Sequence, residues 1–132
     1  MLSSPARKFK EDDAIHDSRA SELQNFYNGR VVLLTGATGF VGKCVLEKLL
    51  HDTEVRKIFV LIRSRPGIST QERLSTSILQ SPAFDRLRTM VGVDGWDAFI
   101  ASRVVAVEGD TNMPKIGMCS KDYAEVSPRK EI

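Results

Sequence analysis

The sequence predicts an α/β fold built on a parallel sheet, and three observations predict it. Three short segments, Arg30–Thr35, Lys57–Arg63 and Arg103–Glu108, have near-continuous apolar interiors. Such runs suit parallel strands covered on both faces. Stretches of helical periodicity separate them, and this alternation is the pattern of a parallel sheet with right-handed crossovers. A glycine-spaced turn, Gly36 to Gly42, joins the first strand to the first helix.

Taken in order, residues 1–24 are mostly charged and small and are expected to form a mobile arm. They carry no signal-peptide-like apolar stretch, and their acidic residues fit a transit peptide poorly. Phe26 and Tyr27 are expected to pack on the domain, which spans 25–126, and Asn28-Gly29 marks a turn. The first helix runs from about Phe40 to His51. Val41, Val45 and Leu49 recur there at i, i+4 and i+8, with Leu46 and Leu50 beside them and Lys43, Glu47, Lys48 and His51 opposite. Cys44 reads as a small helix residue, and His51 sits in the last turn, where the helix dipole favours a cation.

After the second strand, Ser69 and Glu72 have capping-box spacing, with Leu74 and Ile78 facing inward on the helix they open. Ser81-Pro82 breaks that helix and begins another turn through Phe84, Leu87 and Met90. A loop from Gly92 to Gly95 follows, and Trp96 and Phe99 lead into the third strand. That strand ends at Gly109-Asp110, a short helix is expected from Ser120, and residues 127–132 form a polar tail.

The 132 residues amount to one domain at most, and 42% hydrophobic residues suffice for a packed core. A net charge of +2, from 19 basic and 17 acidic side chains, is too balanced to imply nucleic acid or an anionic membrane as partner. No apolar run approaches the roughly 18 to 20 residues of a membrane span. Cys44 and Cys119 form no CxxC pair, so no metal set or redox motif is indicated.

The central motif is Thr35-Gly36-Ala37-Thr38-Gly39-Phe40-Val41-Gly42. Gly36 permits a tight turn off the strand, Gly39 clears a side chain where a pyrophosphate approaches, and Gly42 lets helix and strand pack closely. The helix N-terminus then offers free amides and a partial positive charge. A Walker A loop is a near miss, because Cys44 follows Gly42-Lys43 and Ala37 stands five positions before Gly42. The motif in this context predicts a Rossmann-like sheet holding a dinucleotide.

The end of the second strand discriminates between dinucleotides. An acidic residue there suits the ribose hydroxyls of NAD. Here stand Arg63 and, close behind it, Arg65, which suit a 2′-phosphate, so NADPH is expected. Asp110 after the third strand can accept from an adenine amino group, and Thr111 lies beside it. The candidate cofactor-binding residues are therefore Thr35, Gly36, Thr38, Gly39, Phe40, Val41, Gly42, Arg63, Arg65, Asp110 and Thr111.

From Asn28 through Lys43 the sequence resembles the start of fatty acyl-CoA reductases, extended members of the short-chain dehydrogenase/reductase superfamily. The resemblance continues through Val45–Leu50, Ile58–Arg63, Gln71–Leu74, Ser81–Leu87 and Glu108–Asp110. It implies NADPH-dependent reduction of a fatty acyl-CoA to a primary fatty alcohol through an aldehyde. It also implies a peroxisomal or reticulum membrane setting, through regions absent here. In the family a YxxxK pair supplies the acid; here Val31 stands four after Tyr27 and Ser127 four after Tyr123, so no catalytic residue is assigned. A thioester or carboxylic-acid reductase domain and a non-catalytic NADP-binding or interaction fragment are the alternatives. The sheet is expected to stop at its first three strands, leaving Val31–Leu34 as an unpaired apolar edge prone to self-association.

Overall fold

The computed structural model describes residues 21–127. Most of the arm expected over 1–24, and the tail beyond Ser127, lie outside the described residues. Residues 21–24 belong instead to a helix, α1, helical over 21–27. Then follow β1 (Val31–Leu34), α2 (Phe40–Asp52), β2 (Lys57–Ile62), α3 (Thr70–Arg73), α4 (Asp85–Val91), α5 (Trp96–Arg103), β3 (Val104–Glu108) and α6 (Ser120–Val126). α3 runs on into a π-helical stretch, Leu74–Leu79, and a 3-10 turn at Pro82–Phe84 precedes α4.

The three strands form one parallel sheet in the order β1-β2-β3. Leu34 lies opposite Val60, and Ile62 opposite Glu108. Alternate residues of each strand point to opposite faces. Val32, Leu34, Ile58, Val60, Ile62, Val104 and Ala106 join the larger core, which α2, the α3 region, α4 and α5 cover with Leu46, Leu50, Ile78, Phe84, Leu87 and Ile100. Leu33, Phe59, Leu61, Val105 and Val107 join a smaller core closed by Ile116, Met118 and Val126. Both faces are covered, which is why the strands are apolar throughout rather than alternating.

Local chemistry sets the boundaries. Ser69 caps α3, its Oγ accepting from the Glu72 amide at 3.1 Å, and Leu74 and Ile78 are buried as their spacing predicts. Three expectations need correction. The buried line of α2 is Leu46, Leu49 and Leu50, whereas Val41 is 72% exposed and Val45 is exposed too. Gly42 presses against Gly36 so closely that this side of the helix meets the sheet, turning Val41 and Val45 toward a cleft shared with Leu23 and Tyr27 of α1. Phe26, expected to pack on the domain with Tyr27, is exposed as well, and only Tyr27 packs against the larger core. Trp96 and Phe99 lie on α5, a helix missed because one eight-residue segment buries only Ile100, so Arg103 ends a helix instead of opening β3.

Among the described residues β1 pairs only with β2, so one edge of β1 has no ladder partner there. α6 lies beside it, with Val126 packed against the smaller core.

Candidate functional site

Parallel pairing in this register brings the C-terminal ends of all three strands to one side of the sheet. Ligands of open α/β sheets settle in the crevice outside those ends. A cleft of about 210 Å³ lies there, and Thr35, Gly36, Thr38, Arg63, Asp110 and Thr111 all line it. Six of the eleven residues expected from the sequence thus meet in one place. Arg73 lines the same cleft and was not foreseen.

The glycine turn forms the floor. Gly36 has φ +74°, a left-handed conformation that a side chain would strain. The Gly39 amide donates to the Gly36 carbonyl at 3.1 Å, and the Lys43 amide to the Gly39 carbonyl at 3.1 Å. Gly39 is the N-cap of α2 and offers no side-chain acceptor, and the first turn holds no acidic residue. The helix therefore presents first-turn amides and its positive dipole end without a protein anion to answer them. A methyl group at Gly39 would touch only the Gly36 carbonyl oxygen, at 3.4 Å. Space for a diphosphate thus exists in front of the turn, and the residues present fit one.

The charges gather on the opposite wall. Arg63 is two-thirds exposed, and its Nη2 stands 3.5 Å from Asp110 Oδ1. Arg73 is only 8% exposed. Its Nη1 donates to the Arg63 carbonyl oxygen, and no carboxylate pairs with it among the described residues. A buried guanidinium without a counter-ion is costly, and an anion in the cleft would relieve that cost. The signal that could have found Arg73 is its place in the first turn of the helix after β2, next to inward-facing Leu74.

The remaining expected residues do not line the cleft. Gly42 packs behind the turn and Gly39 caps α2 in front of it, while Phe40 and Val41 turn their side chains away from this cleft, leaving only their backbone amides for a ligand. Arg65 is drawn into a separate turn, where the Ile68 amide donates to its carbonyl at 3.3 Å, and its side chain is no part of the cleft wall.

A family model described as male sterility protein, of the NAD-binding kind, matches residues 34–132. The chain belongs to that family. The match starts at the last residue of β1 and takes in the whole cleft wall. The chain is similar to fatty acyl-CoA reductase 1 of Mus musculus, 37% identical over 101 residues that make up 76% of this chain and 18% of that protein. It is similar to fatty acyl-CoA reductase 1 of Arabidopsis thaliana, 31% identical over 106 residues, 80% of this chain and 22% of that one. It thus spans about a fifth of the length of these relatives.

Among solved structures it is similar to the reductase domain of a nonribosomal peptide synthetase from Mycobacterium tuberculosis. The identity is 27% and the TM-score 0.55, over 74% of this chain and 21% of that one. The PhqB reductase domain from Penicillium fellutanum matches at 26% and 0.51, over 82% and 28%. The fold is Rossmann-like, and the family's ligand is a nicotinamide dinucleotide. No helix among the described residues is long and apolar enough to cross a membrane.

Proposed function

We propose that this family member is the cofactor-binding part, over residues 25–126, of an NADPH-dependent reductase that converts a fatty acyl-CoA to a primary fatty alcohol. One observation carries the choice of NADPH: Arg63 and the buried, carboxylate-free Arg73 share the cleft wall at the end of β2, where an NAD-binding protein would place an acid. On this reading the diphosphate sits on the first-turn amides of α2, and Arg63 and Arg73 take the 2′-phosphate. Asp110 and Thr111 lie beside the adenosine. Two NADPH molecules bound in turn would each supply one hydride to the acyl carbon, the first releasing coenzyme A and leaving the aldehyde, the second giving the alcohol. This chain's residues hold the cofactor's adenosine end in register, and no tyrosine of the chain is assigned as the proton donor.

Acyl-CoA as the substrate is supported by the similarity to fatty acyl-CoA reductases at up to 37% identity. Part of a thioester or carboxylic-acid reductase domain is the second reading, favoured by the structural likeness to the reductase domain of a peptide synthetase. Both use the same cleft.

The test is binding of NADPH and NADH to the chain, followed by intrinsic Trp96 fluorescence or calorimetry. A charge-assisted pair with phosphate is worth about 1.5–3 kcal/mol, so NADPH should bind roughly 10- to 100-fold more tightly. Arg63→Ala should cut that preference by about 3- to 10-fold, leaving the share that Arg73 carries. Equal affinities in the unaltered chain would defeat the NADPH assignment.

A further inference from the structure

The carboxylate of Asp110 stands beside Arg63 on the same wall of the cleft, and nothing in the cofactor reading requires that contact. Several features hold this carboxylate in place. The Asn112 amide donates to Asp110 Oδ1 at 2.9 Å. The Asp110 amide donates to the Ile116 carbonyl at 2.7 Å. Lys115 and Ile116 both adopt left-handed backbone, φ +52° and +50°, followed by Gly117 at +64°. A β-branched residue rarely takes that conformation. Here Ile116 packs into the smaller core while its carbonyl receives the Asp110 amide. Gly117 lies so close that a methyl group there would stand 2.9 Å from the Asp110 nitrogen. The turn therefore clamps the backbone of Asp110, and the carboxylate can swing clear of the arginine only by giving up the Asn112 amide.

We propose that Asp110 is a positioning residue that holds Arg63 along the cleft wall and, by partly offsetting its charge, sets the site's selectivity for a phosphorylated ribose below what the two arginines alone would give. This rests on the reading of Arg63 as the 2′-phosphate ligand. A phosphate on Arg63 competes with the carboxylate for the same guanidinium. It gains less than it would from an uncommitted arginine, and it leaves more readily. Asp110 thereby acts on the ribose end of the ligand through Arg63, in addition to any contact it makes with adenine.

The experiment uses adenosine 2′,5′-bisphosphate and adenosine 5′-monophosphate, which share adenine, ribose and 5′-phosphate and need no nicotinamide pocket. The readout is the ratio of their dissociation constants, from which any adenine contact of Asp110 cancels. In Asp110→Asn, whose side-chain oxygen can still accept from Asn112, preference for the bisphosphate should rise about 3- to 10-fold at low ionic strength and shrink toward twofold near physiological salt. In the Arg63→Ala background the same substitution should change the ratio by less than about twofold.

A ratio that is unchanged or lower in Asp110→Asn overturns the proposal, as does a rise that persists at full size without Arg63. If Arg63→Ala alone leaves the preference intact, or neither nucleotide binds, the cofactor reading itself has failed, and this proposal falls with it. Thermal melts verify that each variant folds. Should Asp110→Asn not fold, Asp110→Ser, whose hydroxyl can accept the same amide, carries the comparison under the same criteria.

Discussion

Gly42→Ala tests how the first helix is seated on the sheet. The added methyl carbon would stand 2.1 Å from the Gly36 carbonyl oxygen, 2.6 Å from the Gly36 carbonyl carbon and 2.7 Å from the Ala37 Cα. All three are backbone atoms, so no side chain can turn aside. Recovering an ordinary contact of 3.4 Å requires the turn and α2 to part by roughly 1.3 Å, that is 3.4 minus 2.1. Overpacking of this kind costs about 1–3 kcal/mol, and the upper part of that range applies where backbone must move. Alanine's better helix propensity offsets up to about 1 kcal/mol. A net loss on the order of 2 kcal/mol is expected, read from urea unfolding followed by circular dichroism.

Gly39→Ala is the control. Its methyl meets one atom at 3.4 Å, and the residue has φ −83°, which alanine adopts freely. Stability should move by less than about 0.5 kcal/mol. Affinity for NADPH should fall at least about tenfold, because the methyl occupies the approach of the diphosphate. The two glycines thus separate folding from binding. A Gly42→Ala chain as stable as the unaltered one would refute the packing argument, and a Gly39→Ala chain that binds normally would refute the placing of the diphosphate.

Two further expectations follow from charges. Arg73→Met keeps the length and removes a buried charge without a carboxylate partner, so stability should hold or rise by up to about 1 kcal/mol, while NADPH affinity drops about tenfold; a loss above about 2 kcal/mol in urea would mark the bond to the Arg63 carbonyl as structural instead. At the far end of α2, hydrogen bonds from Lys48 and His51 hold the Asp52 carboxyl below its ordinary value of 3.8. The folded state therefore favours the ionised form. Its contribution is present in full above the ordinary value and is lost as pH falls below 3.8 through the lowered one. The Lys48 side chain is more than half exposed, so Asp52→Asn should cost on the order of 0.5 kcal/mol at neutral pH. It should also flatten the acid limb of the stability profile, and urea titrations giving identical limbs for both chains would contradict this.

Much of the architecture was legible because its requirements are local. A strand buried on both faces must be apolar at every position, and β2 satisfies this from Ile58 to Ile62. Ser69 caps α3 wherever α3 lies, because the hydrogen bond reaches only three residues. The face of α2 was less legible. Val41, Val45, Leu46, Leu49 and Leu50 offer two overlapping apolar stripes, and only contact with the sheet selects between them. α5 escaped notice because a short helix with one buried residue has little periodicity to show.

The site divides in the same way. The sequence by itself determines the glycine turn, since glycine takes the left-handed bend of φ +74° at Gly36 without strain and alone leaves the backbone room to close at Gly42. It also places an arginine directly after β2. Only the tertiary structure decides which arginines share the cleft. Arg63, Arg65 and Arg73 are alike as side chains, yet sheet register and helix packing bring Arg63 and Arg73 to the glycine turn and leave Arg65 outside. The pairing of Arg63 with Asp110, 47 positions apart by subtraction of their numbers, likewise exists only because parallel strands end side by side. Backbone conformation is constrained by neighbours in sequence, whereas electrostatics depends on distance in space, and that distance is set by packing.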